Sequence, residues 1–167
     1  MNKWFGILAF LFVLAFGTSF QAQALTFDHL PKNQTSKQWS VQVGKADHTQ
    51  HSVKAKKGVY HTYSFKVKNI GMNVESVTVQ AYRNEPNSKT KFALVSGEAS
   101  EVMIKQTGQE FKFSVFPLAV KATELEIVVT WKEKGVDRAL RETFVFKQQK
   151  FLKKKGNVFS LFFSLSQ

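Results

Sequence analysis

Glu110–Trp131, EFKFSVFPLAVKATELEIVVTW, limits the possible folds more than any other part of the chain, because it holds two alternating segments around a single break. Phe111, Phe113 and Val115 fall on one side of an extended backbone, and Glu110, Lys112 and Ser114 on the other. That two-residue period belongs to a strand with one face in a core. Leu125, Ile127, Val129 and Trp131 repeat it after the interruption. Pro117 removes a ladder donor, so it is expected to end the first strand, and Leu118–Glu124 is expected to carry the chain around or across to another sheet. A strand pair of this kind belongs at the centre of an all-β domain.

The rest of the chain extends the pattern. Trp39, Val41 and Val43 alternate in a short first strand ending at Gly44. From Val59 onward Val59, His61, Tyr63, Phe65 and Val67 share one face, with Tyr60, Thr62, Ser64, Lys66 and Lys68 on the other. Asn69–Asn73 reads as a turn. Val77, Val79 and Ala81 then continue the inward face, so Val59–Ala81 is expected to be a hairpin with Lys66, Lys68, Thr78 and Gln80 toward solvent. A second turn at Asn84–Ser88 precedes two short edge-like strands, Phe92–Val95 and Val102–Lys105, and Leu140–Lys147 is the last strand. Short alternating strands with turn signals every few residues predict an immunoglobulin-like antiparallel β-sandwich of about seven to eight strands. Its predicted core is Phe65, Val67, Val77, Val79, Phe111, Phe113, Ile127, Val129, Trp131 and Phe144.

The motif Val67-x-Asn69-x-Gly71 followed by Val77-x-Val79 resembles a turn met in many bacterial immunoglobulin-like domains of the cell surface. The resemblance implies that fold and no particular function, since one scaffold serves many.

The whole chain divides into four parts. Met1–Ala24 has a lysine, an apolar run from Trp4 to Phe16 and a small-residue ending Ala22-Gln23-Ala24, the order of a secretory signal peptide cut after Ala24. Leu25–Gln38 is expected to be an N-terminal arm, residues 39–149 the sandwich, and residues 150–167 a basic and apolar C-terminal tail able to touch a membrane peripherally. There is no cysteine, so stability must come from packing, and export without disulfides suits a bacterium. The protein is expected outside the cell, associated with its envelope.

Without residues 1–24 the chain carries 23 lysines and arginines against 12 acids, a net charge of +11. That balance points to an anionic partner. The expected partner is an anionic cell-wall polymer, an anionic lipid surface or an acidic protein, bound through Lys54, Lys56, Lys57, Lys66 and Lys68. Nucleic acid is not the expected partner of an exported chain whose outward face lacks aromatics beyond Tyr60 on which bases could stack. No Gly-x-Ser-x-Gly or phosphate-binding glycine loop occurs, so no enzyme activity and no cofactor are expected. Glu124 and Glu126 share a strand face and could mimic a carboxylate pair, but outward charges flanking a buried strand are the commoner explanation.

The alternative function is copper binding by His48, His51, His61 and Met72, since imidazole and thioether suit that metal. His61-x10-Met72 is similar to the first half of the His-x10-Met-x21-His-x-Met pattern of a family of secreted copper chaperones built on β-sandwiches. The second half departs, with Leu94 and Ser96 at the ligand positions.

Overall fold

The computed structural model describes residues 25–27, 29–49, 52–86, 88–95 and 102–147. Eight strands follow one another: β1 (Lys32–Thr35), β2 (Trp39–Lys45), β3 (Tyr60–Asn69), β4 (Val74–Asn84), β5 (Lys91–Val95), β6 (Glu110–Ala119), β7 (Glu124–Glu133) and β8 (Ala139–Lys147). They form two four-stranded antiparallel sheets, β1-β2-β3-β6 and β5-β4-β7-β8, which make a β-sandwich. Period-two alternation produces the strands, and the two apolar faces bury each other. Val41, Val43, Phe65 and Val67 of the first sheet and Val77, Val79, Ile127 and Val129 of the second are fully buried or nearly so. Trp39 and Trp131 meet edge to face across the core, ring centroids 5.6 Å apart.

Strand β6 departs from the alternation expected of it. Opposite β3, Phe65 faces Phe113 and Tyr63 faces Phe116, so Ser114 and Val115 stand where β3 has only Ser64. This extra residue is a β-bulge, and it changes which side of the strand points inward. Phe111 and Phe113 are therefore only half-buried, Val115 leaves the core, and Phe116 and Leu118 are each 1 % exposed. Pro117 does not end the strand: β6 continues to Ala119, with Pro117 opposite Thr62. Proline is tolerated because β6 is the outer strand of its sheet and needs no donor on the open side.

The expected hairpin Val59–Ala81 is also corrected, because β3 and β4 lie in different sheets. Residues 70–73 cross between them, so Lys66 and Lys68 belong to one sheet and Thr78 and Gln80 to the other. Buried Asn69 holds the crossing. Its Nδ2 donates to the carbonyls of Met72 (3.1 Å) and Lys105 (3.3 Å), while its Oδ1 accepts from Gln38 Nε2 (2.8 Å) and Gly71 N (3.1 Å). At Gly71 a Cβ would lie 2.3 Å from Gln38 Oε1 and 2.9 Å from Gln38 Cα, so only glycine fits this approach.

Leu25–Gln38, expected as an arm, is instead part of the sandwich. Leu25 is 2 % exposed, its amide donates to Ala122 O at 2.5 Å, and β1 pairs with β2. Gln34 Nε2 on β1 also donates to Val145 O on β8 (2.7 Å), linking the two sheets at one side. Val102–Lys105 is not a strand, yet Val102 N donates to Val77 O (3.0 Å) and Lys105 O accepts from Val74 N (2.8 Å), covering β4 where β5 ends. The signal segment 1–24 and the tail 150–167 lie outside the described residues.

Candidate functional site

The antiparallel registers determine which loops meet. Lys45 pairs with Tyr63, Tyr60 with Ala119, Arg83 with Leu125 and Glu124 with Lys147. The β2–β3 loop, the β4–β5 turn, the β6–β7 turn and the close of β8 therefore gather at one end of the sandwich. Hydrogen bonds between them fix this arrangement: Val120 N donates to Val59 O (3.0 Å), and Asn84 Oδ1 accepts from both Thr123 N and Glu124 N (2.9 Å each).

Charge at this end is one-sided. Each described acid there has a cationic partner: Asp47 with Lys112 (2.7 Å), Glu85 with Arg83, Glu124 with Lys147 (2.9 Å) and Glu126 with Lys91. The Lys112 hydrogen bond holds the exposed Asp47 carboxyl below its ordinary pKa. Partial burial of Glu124 raises its pKa, but the hydrogen bond from Lys147 and the attraction of Lys147 and Lys91 outweigh this and leave it lowered. Lys147 is raised by the hydrogen bond to Glu124. The two carboxylates of β7 are thus tied to lysines in a chain of ion pairs across three strands. By contrast Lys54, Lys56, Lys57, Lys89 and Lys121 are exposed and form no ion pair among the described residues.

Of the five lysines singled out from sequence, the structure keeps three together. Lys56 sits in a tight turn with Tyr60, its amide donating to Tyr60 O at 3.1 Å, and Gly58 takes a φ of 74° that allows the chain to reverse. Lys66 and Lys68 lie six and eight residues further along β3, about 20–26 Å away at the usual strand rise. Lys66 is paired with Glu110 at 3.1 Å, and Lys68 is opposite Glu110. Lys89 and Lys121 take their place at the basic end. Only topology brings these two to the β2–β3 loop; their one sequence signal is that each lies in a connecting segment between strands.

Among the described residues the copper ligands are not assembled. His61, expected on the buried face, is exposed, as is Val59 just before the strand. Met72 lies beyond the far end of β3, eight strand residues from His61 to Asn69 or about 26 Å. His48 has its ring nitrogens 3.3 Å from the hydroxyls of Ser52 and Thr62. His51 lies outside the described residues. Among the described residues no three His, Asp or Glu side chains gather as a metal site.

A family model described as YozF-like secreted protein matches residues 23–152. A similar relative, "Uncharacterized protein YozF" of Bacillus subtilis (strain 168), is 42% identical over 138 residues, covering 75% of this chain and 84% of the relative. No solved structure matches the chain.

Proposed function

Because this chain belongs to the YozF-like secreted protein family, we propose that it works outside the cytoplasm as a non-catalytic module that binds an anionic component of the cell envelope. The protein is secreted and bacterial. One observation carries the reading: five exposed lysines without ion pairs stand at one end of the sandwich, while every described acid at that end is neutralised. Free ammonium groups held on the connecting segments of a sandwich form a point of attachment for phosphate or carboxylate groups. The strand order supports an immunoglobulin-like sandwich, with β2-β3-β6 corresponding to the A-B-E strands and β5-β4-β7-β8 to C′-C-F-G. The absence of catalysis is supported by Glu124 and Glu126, whose carboxylates are engaged by Lys147 and Lys91.

The test is co-sedimentation of the secreted protein with purified bacterial envelopes across a salt series. Contacts between exposed charges are screened beyond about 8 Å at physiological ionic strength, so retention should fall steeply as salt rises. Replacing Lys54, Lys56, Lys57, Lys89 and Lys121 with Gln should release the protein without unfolding it, whereas Lys66→Gln with Lys68→Gln should change retention little. Retention that ignores salt, or that survives the fivefold replacement, overturns the proposal.

A further inference from the structure

We infer that the anionic partner of the basic end is a lipid bilayer surface, against which the Val53–Val59 segment seats; this rests on the binding function proposed above. The segment reads Val53-Lys54-Ala55-Lys56-Lys57-Gly58-Val59. Its two valines are 47% and 46% exposed and flank the three lysines. The turn closed by the Lys56–Tyr60 hydrogen bonds carries Val59 immediately before the first residue of β3, where its carbonyl accepts from Val120 N of the β6–β7 turn.

A soluble polyanion is recognised by charge and gives exposed valines nothing to contact. The interfacial region of an anionic bilayer accepts both kinds of group: apolar side chains enter the boundary of the acyl region, and ammonium groups stay among the head groups on flexible stems. Lys89 and Lys121, on neighbouring turns of the same end, extend the positive surface around the segment. Each lysine near such a surface contributes about fivefold in partitioning. The two half-exposed valines together contribute about tenfold, on the usual scale for buried aliphatic area.

The experiment uses the whole secreted chain with vesicles of phosphatidylcholine, with and without phosphatidylglycerol, and with polyphosphate as a soluble polyanion. The protein should sediment with the anionic vesicles only. Val53→Ser combined with Val59→Ser should weaken that binding about tenfold and leave polyphosphate binding unchanged. Since the chain has no cysteine, Val59→Cys also accepts a single environment-sensitive fluorophore, whose emission should shift to the blue on anionic vesicles. Undiminished vesicle binding by the double serine variant, or an unshifted fluorophore on bound protein, overturns the bilayer assignment. Binding to polyphosphate but not to vesicles overturns it in favour of an anionic polymer and leaves the proposed function standing. Binding to neither overturns both.

Discussion

Replacing Phe116 and Phe113 separately by alanine tests the bulge in β6, because uninterrupted alternation and the structure predict opposite outcomes. In the structure Phe116 is 1 % exposed, with its ring centroid 5.7 Å from Phe65 and 6.2 Å from Tyr63. Removing a ring from so enclosed a site loses its transfer free energy and leaves a cavity, about 3–5 kcal/mol together. Phe113 is half-buried and stacks on Phe65 at 5.5 Å. It loses about half of a buried side chain's value plus the ring–ring contact, about 1–2 kcal/mol. With a urea slope of about 1.5 kcal/mol/M, the midpoint should fall about 2–3 M for Phe116→Ala and about 1 M for Phe113→Ala. Tryptophan fluorescence is a suitable readout, since Trp39 and Trp131 form an edge-to-face pair in the core and the chain's other tryptophan, Trp4, belongs to the expected signal segment. If Phe113→Ala costs as much as Phe116→Ala or more, the inward phase after Ser114 is misassigned and the strand is unbulged.

Two other changes test the crossing and the ion-pair chain. Asn69→Leu should lower the stability by about 3 kcal/mol in a thermal or urea melt, because it removes all four hydrogen bonds of the buried Asn69 side chain and leaves the Lys105 and Met72 carbonyls without that donor; an unchanged melt would refute that role. Glu124 has a lowered pKa in the folded protein, so its contribution is present above the ordinary carboxylate range and is lost as the pH falls through the folded value. Lys147 has a raised pKa, so its contribution is complete below the ordinary lysine range and is lost as the pH rises through the folded value. The urea midpoint of Lys147→Gln should therefore lie below that of the unaltered protein at neutral pH, with the gap closing toward acid; a gap constant down to acid pH would show that the pair does not supply it.

The sandwich was legible because period two is local: Val41, Phe65, Val77, Val79, Ile127, Val129 and Phe144 announce their buried faces within a few residues. Phe116 and Leu118 were hidden, since a bulge adds one residue whose signature is only a change of phase, and Pro117 beside it reads as a stop. Sheet membership was hidden too. Asn69–Asn73 has the residues of a tight turn whether the chain reverses within one sheet or crosses to the other, and only the strand pairing decides between them. The basic end was half legible. Lys54, Lys56 and Lys57 announce themselves by adjacency, but Lys89 and Lys121 reach them through antiparallel registers between strands distant in sequence.

The same registers explain how several strand lysines find acids while the five loop lysines do not. Along a strand, each outward side chain has fixed neighbours on the adjoining strands about 5 Å away, so a lysine there readily acquires an acid opposite or diagonal to it. Lys66 meets Glu110 and Lys147 meets Glu124 in this way, while Lys91 on β5 reaches past β4 to Glu126 on β7. In the connecting segments no ladder imposes such neighbours. Lys54, Lys56, Lys57, Lys89 and Lys121 all stand in connecting segments and remain uncompensated, so their charges are available to a partner without first breaking an ion pair. Moving the same five lysines to outward strand positions would preserve the net charge of the chain. It would also place them where cross-strand acids compete with any external anion, so affinity for anionic surfaces should drop although charge and composition are unchanged.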